Sequence, residues 1–309
     1  IVFQIGTAKY GVRDKDGQLD DEKLRALAAK PEIKMFEIKL AQGAKPGKGG
    51  ILPGGKVTPE IAEVRGIPVG EPSFSPNRHP EIKSCADLID MIEHVRAVTG
   101  KPVGVKTVIG DRAWLEELVA EINLRGEDCA PDYLAIDGGD GGSGAAPQAL
   151  IDNVGLTIQE SLPTTADVLT SAGLRDRIRI VASGKLISPA LVAWAFSAGA
   201  DFVVTARGFM FALGCIQAMR CNKNTCPTGV TTHQPRLQAG LDPADKSVKV
   251  ANFVKGMMQE VETIAHSCGA RHVRELERRH VRVALPSGRT ERFDRLWPEP
   301  QAPVSPAPE

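Results

Sequence analysis

The stretch GCIQAMRCNKNTCPTG, residues 214–229, gathers Cys215, Cys221 and Cys226 in a chain that holds six cysteines in all. Six residues of continuous helix turn by about 240°, so the first two thiols converge only if the helix ends between them. Asn222, Lys223, Asn224 and Thr225 favour a turn, and Pro227 with Gly229 forbids a continuing helix. Three thiolates on one loop suit an iron–sulfur cluster or zinc. Zinc needs a fourth ligand, and His233 is the candidate, at a spacing that matches no common zinc motif. Inert core thiols are the third reading, because free cysteine commonly behaves as a small hydrophobe.

Other chemistry-bearing residues sit where apolar runs end. EIKLAQGAKPGKGG (37–50) sets Lys39, Gln42, Lys45 and Lys48 around a Gly-rich loop that could grip a dicarboxylate or a cofactor, or simply be a solvated basic loop. Lys106 lies inside the apolar run PVGVKTV, where a charge must find a partner or face a ligand. IDGGDGGSGAAP lets the backbone at Gly138–Gly144 approach a ligand and offer N–H groups to an anion. Ser183, Gly184 and Lys185 in ASGKL, with Ala206 and Arg207 in TARGF, form two successive strand-end loops of the kind that hold phosphate in β/α barrels.

The elements that must position these groups are short apolar strands at 35–40, 102–108, 133–138, 178–184 and 201–206, with one more near the start. Amphipathic helices lie between them. CADLIDMIEHVRAVTG stops at Gly100, DRAWLEELVAEINLRG stops at Gly126, and SPALVAWAFSAG starts at a Ser188 cap followed by Pro189. Alternating strands and helices predict a parallel sheet or a (β/α) barrel. Six strands are too few for eight, and the first residue is Ile1, so the expectation is a fragment lacking the first strands. The expected organisation is a barrel portion over 1–240, a helix and short extension packing on it over 241–290, and a disordered Pro-rich tail over 291–309. Lys plus Arg equals Asp plus Glu at 38 each, which argues against nucleic acid as a partner. No apolar run reaches membrane-spanning length, and the scattered Cys85, Cys129 and Cys268 form no disulfide framework, so a reducing cytoplasmic location is expected.

EIKLAQGAKPGKGGILPGGKV, HPEIKSCADL, PVGVK, IDGGDGGSGAAP and GCIQAMRCNKNTCPTGVTT, in this order, resemble the FMN-binding synthase domain of glutamate synthase. SCGARHVRELERRHV resembles the stand-alone FMN-binding members of that family. The resemblance implies a (β/α)8 TIM barrel of the FMN-dependent oxidoreductase type, with FMN at its mouth and a 3Fe–4S cluster on Cys215, Cys221 and Cys226. It implies flavin contacts from Lys106, Asp137, Gly138, Gly139, Gly141, Gly142, Ser183, Gly184, Lys185, Ala206 and Arg207. Lys39 and Lys45 are the implied catalytic residues, and Lys45, Arg65 and Gln42 the implied contacts to 2-oxoglutarate. The implied reaction is reductive amination of 2-oxoglutarate to L-glutamate, with electrons from a donor protein or an NAD(P)H-oxidising subunit.

Three departures bear on that expectation. Ile51 stands where the large enzyme has a substrate-contacting glutamine. ASGKL replaces a more Gly-rich phosphate loop, and Arg207 replaces a small residue. Nothing resembles the amidotransferase domain, so ammonia or another amine must come from solution or from a separate amidotransferase. The alternatives are a related enzyme using another amine, as in N-methylglutamate synthesis, or a non-catalytic electron-transfer subunit.

Overall fold

The computed structural model describes residues 1–301; residues 302–309, the end of the expected Pro-rich tail, lie outside the described residues. Six parallel strands, β1 (Val2–Ile5), β2 (Met35–Lys39), β3 (Val103–Thr107), β4 (Tyr133–Asp137), β5 (Arg179–Ser183) and β6 (Phe202–Val204), pair in chain order in one sheet. Each is followed by helix: α1 (Asp21–Ala28), α2 (Cys85–Thr99), α3 (Arg112–Arg125), α4 (Ile158–Ser171), α5 (Pro189–Ser197) and α6 (Ala206–Ala212). Successive strand–helix units with neighbouring strands are the winding of a β/α barrel. Strands β1 and β6 do not pair with each other, so the barrel is not closed among the described residues.

Local signals explain the helix ends. Ser84 and Asp87 form a reciprocal capping box at the start of α2, and Gly100 ends it at φ 64° in the left-handed region. The Ser188 hydroxyl accepts from the Leu191 N–H, with Pro189 in the first turn of α5. The helix-facing side of the sheet is apolar: Phe36, Ile38, Val103, Val105, Leu134, Ile136, Ile180 and Ala182 are fully buried. The opposite side is polar. Gln4 donates to Glu37 at 2.6 Å, the Tyr133 ring lies over Gly104, and Lys39 stands in register with Lys106. Strand alternation therefore sends apolar side chains to the helices and charges to the inner face and the strand C-termini.

A long helix, α7 (Pro243–Ser267), packs against α5 and α6, and a hairpin of Arg282–Ala284 with Thr290–Arg292 follows. Part of the segment expected to be disordered from 291 is folded. Phe293 is buried in a short helix, and Trp297 Nε1 donates to Asp167 Oδ2 at 2.6 Å. Among the described residues, no helix is long and apolar enough to cross a membrane.

Candidate functional site

Two cavities open at the C-terminal ends of the strands, each of about 360 Å³, and Gln42 lines both. The first is walled by the loops after β4, β5 and β6 and by the segment 215–231. It brings together Asp137, Gly141, Gly142, Ser183, Gly184, Lys185, Ala206, Arg207 and all three clustered cysteines. The second is walled by Lys39, Gln42, Lys45, Lys48, Ile51 and Arg65, with Lys9 and Tyr10. The residues singled out from sequence thus separate into a thiol-and-glycine side and a cationic side.

On the first side the Gly-rich loop does less of what its composition suggests, because several of its N–H groups are already engaged. Gly138 N–H donates to Ser183 O at 2.7 Å and Gly139 N–H to Leu156 O at 2.7 Å. Both residues fall outside the cavity wall, and a Cβ on either would strike neighbouring backbone, Ile158 N at 2.7 Å or Gly155 O at 2.6 Å. Gly141 N–H and the Lys185 ammonium both bind Asp152, at 2.6 and 2.8 Å, and these bonds, that from Lys185 foremost, hold the Asp152 carboxyl below its usual range. Arg207 donates to Gly142 O at 2.9 Å. Among the described residues the Thr205 hydroxyl, on the cavity wall, is buried without a hydrogen-bond partner. Asp152 carried no sequence signal; its role comes from Lys185, 33 residues away in the chain.

Lys106 resolves its two readings in part. Its ammonium lies 3.6 Å from Asp137 Oδ2, which also accepts from Gly43 N–H at 3.0 Å. Lys106 and Gly43 together thus fix the Asp137 carboxylate at the cavity floor.

The cysteines share the cavity wall but not a metal-binding geometry. Among the described residues, no three His, Cys, Asp or Glu side chains form a group able to hold a metal ion. Gln217, Met219 and Asn224, in the loop that carries the thiols, all adopt left-handed φ, at 54°, 53° and 57°. His233, the alternative zinc ligand, is exposed, and its backbone N–H donates to Asn224 Oδ1 at 2.7 Å. Burial alone would raise the Cys226 thiol, but Thr228 and Thr231 outweigh it and bring it down to about 6, which favours thiolate.

On the second side Lys9 pairs with Glu81 at 2.7 Å, whereas Lys39, Lys45, Lys48 and Arg65 have no ion-pair partner among the described residues. Lys39 donates to Gln42 Oε1. Burial pulls its ammonium below the usual lysine range, Lys106 adds to the effect, and Asp137 opposes it. Lys45 is lowered by burial and by Lys48. The Arg65 guanidinium lies 4.6 Å from the Tyr10 ring centroid and donates to Ser73 Oγ at 3.3 Å, while Tyr10 OH also meets that oxygen at 2.6 Å. Tyr10 and Ser73 therefore aim Arg65, and neither stood out in the sequence. Partly buried cations facing one cavity without acids attract a small polyanion. Ile51, half exposed, brings an apolar surface to the rim.

Comparison with known proteins shows the family of the chain. A family model described as a conserved region in glutamate synthase matches residues 1–271. A glutamate synthase large subunit-like protein of Bacillus subtilis is 40% identical over 296 residues, covering 96% of this chain and 56% of its own length. An archaeal glutamate synthase [NADPH] of Methanocaldococcus jannaschii is 35% identical over 278 residues, covering 89% of this chain and 51% of its own. The chain thus spans about half the length of these curated relatives. Among solved structures, a lactate oxidase of Pediococcus acidilactici superposes with a TM-score of 0.50 at 13% identity, over 89% of this chain and 59% of that one, a likeness of fold.

Proposed function

The chain belongs to the glutamate synthase family, and from that premise we propose that it binds FMN and makes L-glutamate from 2-oxoglutarate and ammonia. The observation that carries the reading is the junction at Gln42 of a cationic cavity with one walled by glycines, three cations and three thiols. The first cavity fits a flavin phosphate. Gly141 and Gly142, at φ 76° and 151°, let a ligand approach backbone that a side chain would block, Lys185 and Arg207 supply charge, and the unpartnered Thr205 hydroxyl supplies a donor. Bound there, FMN supplies two-electron transfer to the substrate carbon. Lys106 and Asp137 set the charge beside it. The eight-stranded FMN barrel is the closed form we propose for this fold, with two further strands joining the free edges of β1 and β6.

The second cavity holds the oxo acid in this reading. Arg65 meets one carboxylate as a planar fork, already oriented by Tyr10 and Ser73, and Lys45 meets the other. Gln42 bridges the cavities and turns the reacting carbon toward the first. Lys39 and Lys45, their ammonium groups pulled below the usual range, give up a proton more readily than ordinary lysines and serve as acids to the developing amine. Cys215, Cys221 and Cys226 hold a 3Fe–4S cluster for one-electron transfer in this proposal, once the loop draws its thiols together; the donor chemistry of three soft thiols on one wall supports it. Electrons come from a donor protein or an NAD(P)H-oxidising subunit, and ammonia from solution or a separate amidotransferase. The free thiols suit a reducing cytoplasm.

Absorbance and iron content of the purified protein test the assignment. Flavin bands with a broad brown shoulder are expected, and Cys221→Ala removes the iron while flavin stays; unchanged iron in that variant overturns the ligand set. Ile51 at the rim favours one second reading, with methylamine replacing ammonia, which competition between the two amines decides.

A further inference from the structure

We propose that Lys56 is a positioning residue that couples the oxo-acid cavity to the cysteine loop, an inference that rests on the functional reading above. Its ammonium donates to the carbonyls of Cys221 and Thr231, each at 2.9 Å, across more than 160 residues of sequence. Among the described residues it has no carboxylate partner, so these two carbonyls are its hydrogen-bond acceptors. Lys56 closes the turn Gly54–Lys56, and the chain just before that turn, from Gly47 to Leu52, walls the cationic cavity. The turn is rigidly seated: Val57 N–H closes it onto Gly54 O at 2.9 Å, and a Cβ on Gly54 would lie 2.1 Å from Gly70 O. A second tie runs from Asn224 Nδ2 to Gly55 O at 3.4 Å.

The receiving loop is one that needs holding. Gln217 and Met219 hold left-handed φ that side chains of their kind rarely adopt, and Asn224 holds it as well. Such a backbone has other arrangements close in energy, and a charge-assisted clamp on Cys221 O and Thr231 O selects among them. An oxo acid that braces segment 47–52 therefore braces the turn that carries Lys56, and Lys56 in turn steadies the carbonyl of one cysteine and the wall beside another.

Hydrogen exchange on the full-length protein, with and without 2-oxoglutarate, tests the coupling in wild type, Lys56→Met and Lys56→Arg. Wild type is expected to gain protection at both 47–56 and 215–231; Lys56→Met gains it at 47–56 alone, and Lys56→Arg restores both. Equal protection of 215–231 in Lys56→Met and wild type overturns the proposal. So does protection confined to 47–56 in wild type. Alkylation of Cys221 and Cys226 without ligand, in protein stripped of iron, reads the clamp independently of any substrate. It should quicken at least threefold in Lys56→Met and stay near the wild-type rate in Lys56→Arg, and an unchanged rate in Lys56→Met sinks the clamp. If 2-oxoglutarate protects neither segment while the alkylation difference holds, the oxo-acid reading of the cavity fails and the clamp on the cysteine loop stands.

Discussion

Single side chains decide how tightly a dianion is held and at what pH. Arg65 is the one cation of the second cavity with a planar fork already aimed by neighbours, so Arg65→Ala should weaken 2-oxoglutarate binding by about 1.5–3 kcal/mol in titration calorimetry. Lys39 and Lys45 impose a pH dependence. Burial lowers both, so their ammonium forms persist at low pH and are lost as pH rises through a window below the ordinary lysine range. Affinity for the dianion should therefore fall across that window. A bound dianion favours the charged form, so binding there should take up protons, visible as a buffer-dependent enthalpy. Binding that strengthens with pH, or releases protons, would contradict the assignment. These residues were legible in sequence because Lys39, Gln42 and Lys45 sit on one strand-end loop. Tyr10, Ser73, Asp152 and Lys56 were not, since each matters through a partner that only the fold brings near.

Elements carry the next level of constraint. The loop after β2 runs so close to the loop after β4 that a Cβ on Gly43 would lie 1.7 Å from Gly138 O. Gly43→Ala must push two strand-end loops apart, and we expect a loss of about 1–3 kcal/mol in denaturant unfolding together with weaker flavin retention. Gly256 is the contrast. It lies inside α7, and a Cβ added there would meet nothing within 4 Å, so Gly256→Ala should stabilise by about 0.5–1 kcal/mol. Strand positions were readable in the sequence because parallel strands here are short apolar runs, and helix stops because Gly100 and Gly126 mark them. The cysteine loop was readable only in composition. Its spacing shows three soft donors, but Gln217 and Met219 take left-handed φ without any glycine to announce it.

At the scale of the whole molecule, the C-terminal segment is fastened to the barrel by one buried ion pair. Arg278 Nη2 meets Asp167 Oδ1 of α4 at 2.5 Å, Trp297 Nε1 takes the other carboxylate oxygen, and Arg278 returns a bond to Trp297 O at 3.1 Å. Asp167→Ala leaves a buried guanidinium without its partner and should cost about 3–5 kcal/mol in unfolding followed by circular dichroism. A change within about 1 kcal/mol would mean that the segment is held by its apolar contacts alone. With that segment fixed on α4, the strand-end face carries the two cavities that meet at Gln42. The most direct measurement is an anaerobic single turnover: flavin in the purified protein is reduced, mixed with 2-oxoglutarate and ammonia, and followed by absorbance and mass spectrometry. Reoxidation of the flavin with about one glutamate formed per two electrons is the expected result. Flavin that stays reduced, with no glutamate formed, would contradict the proposed function.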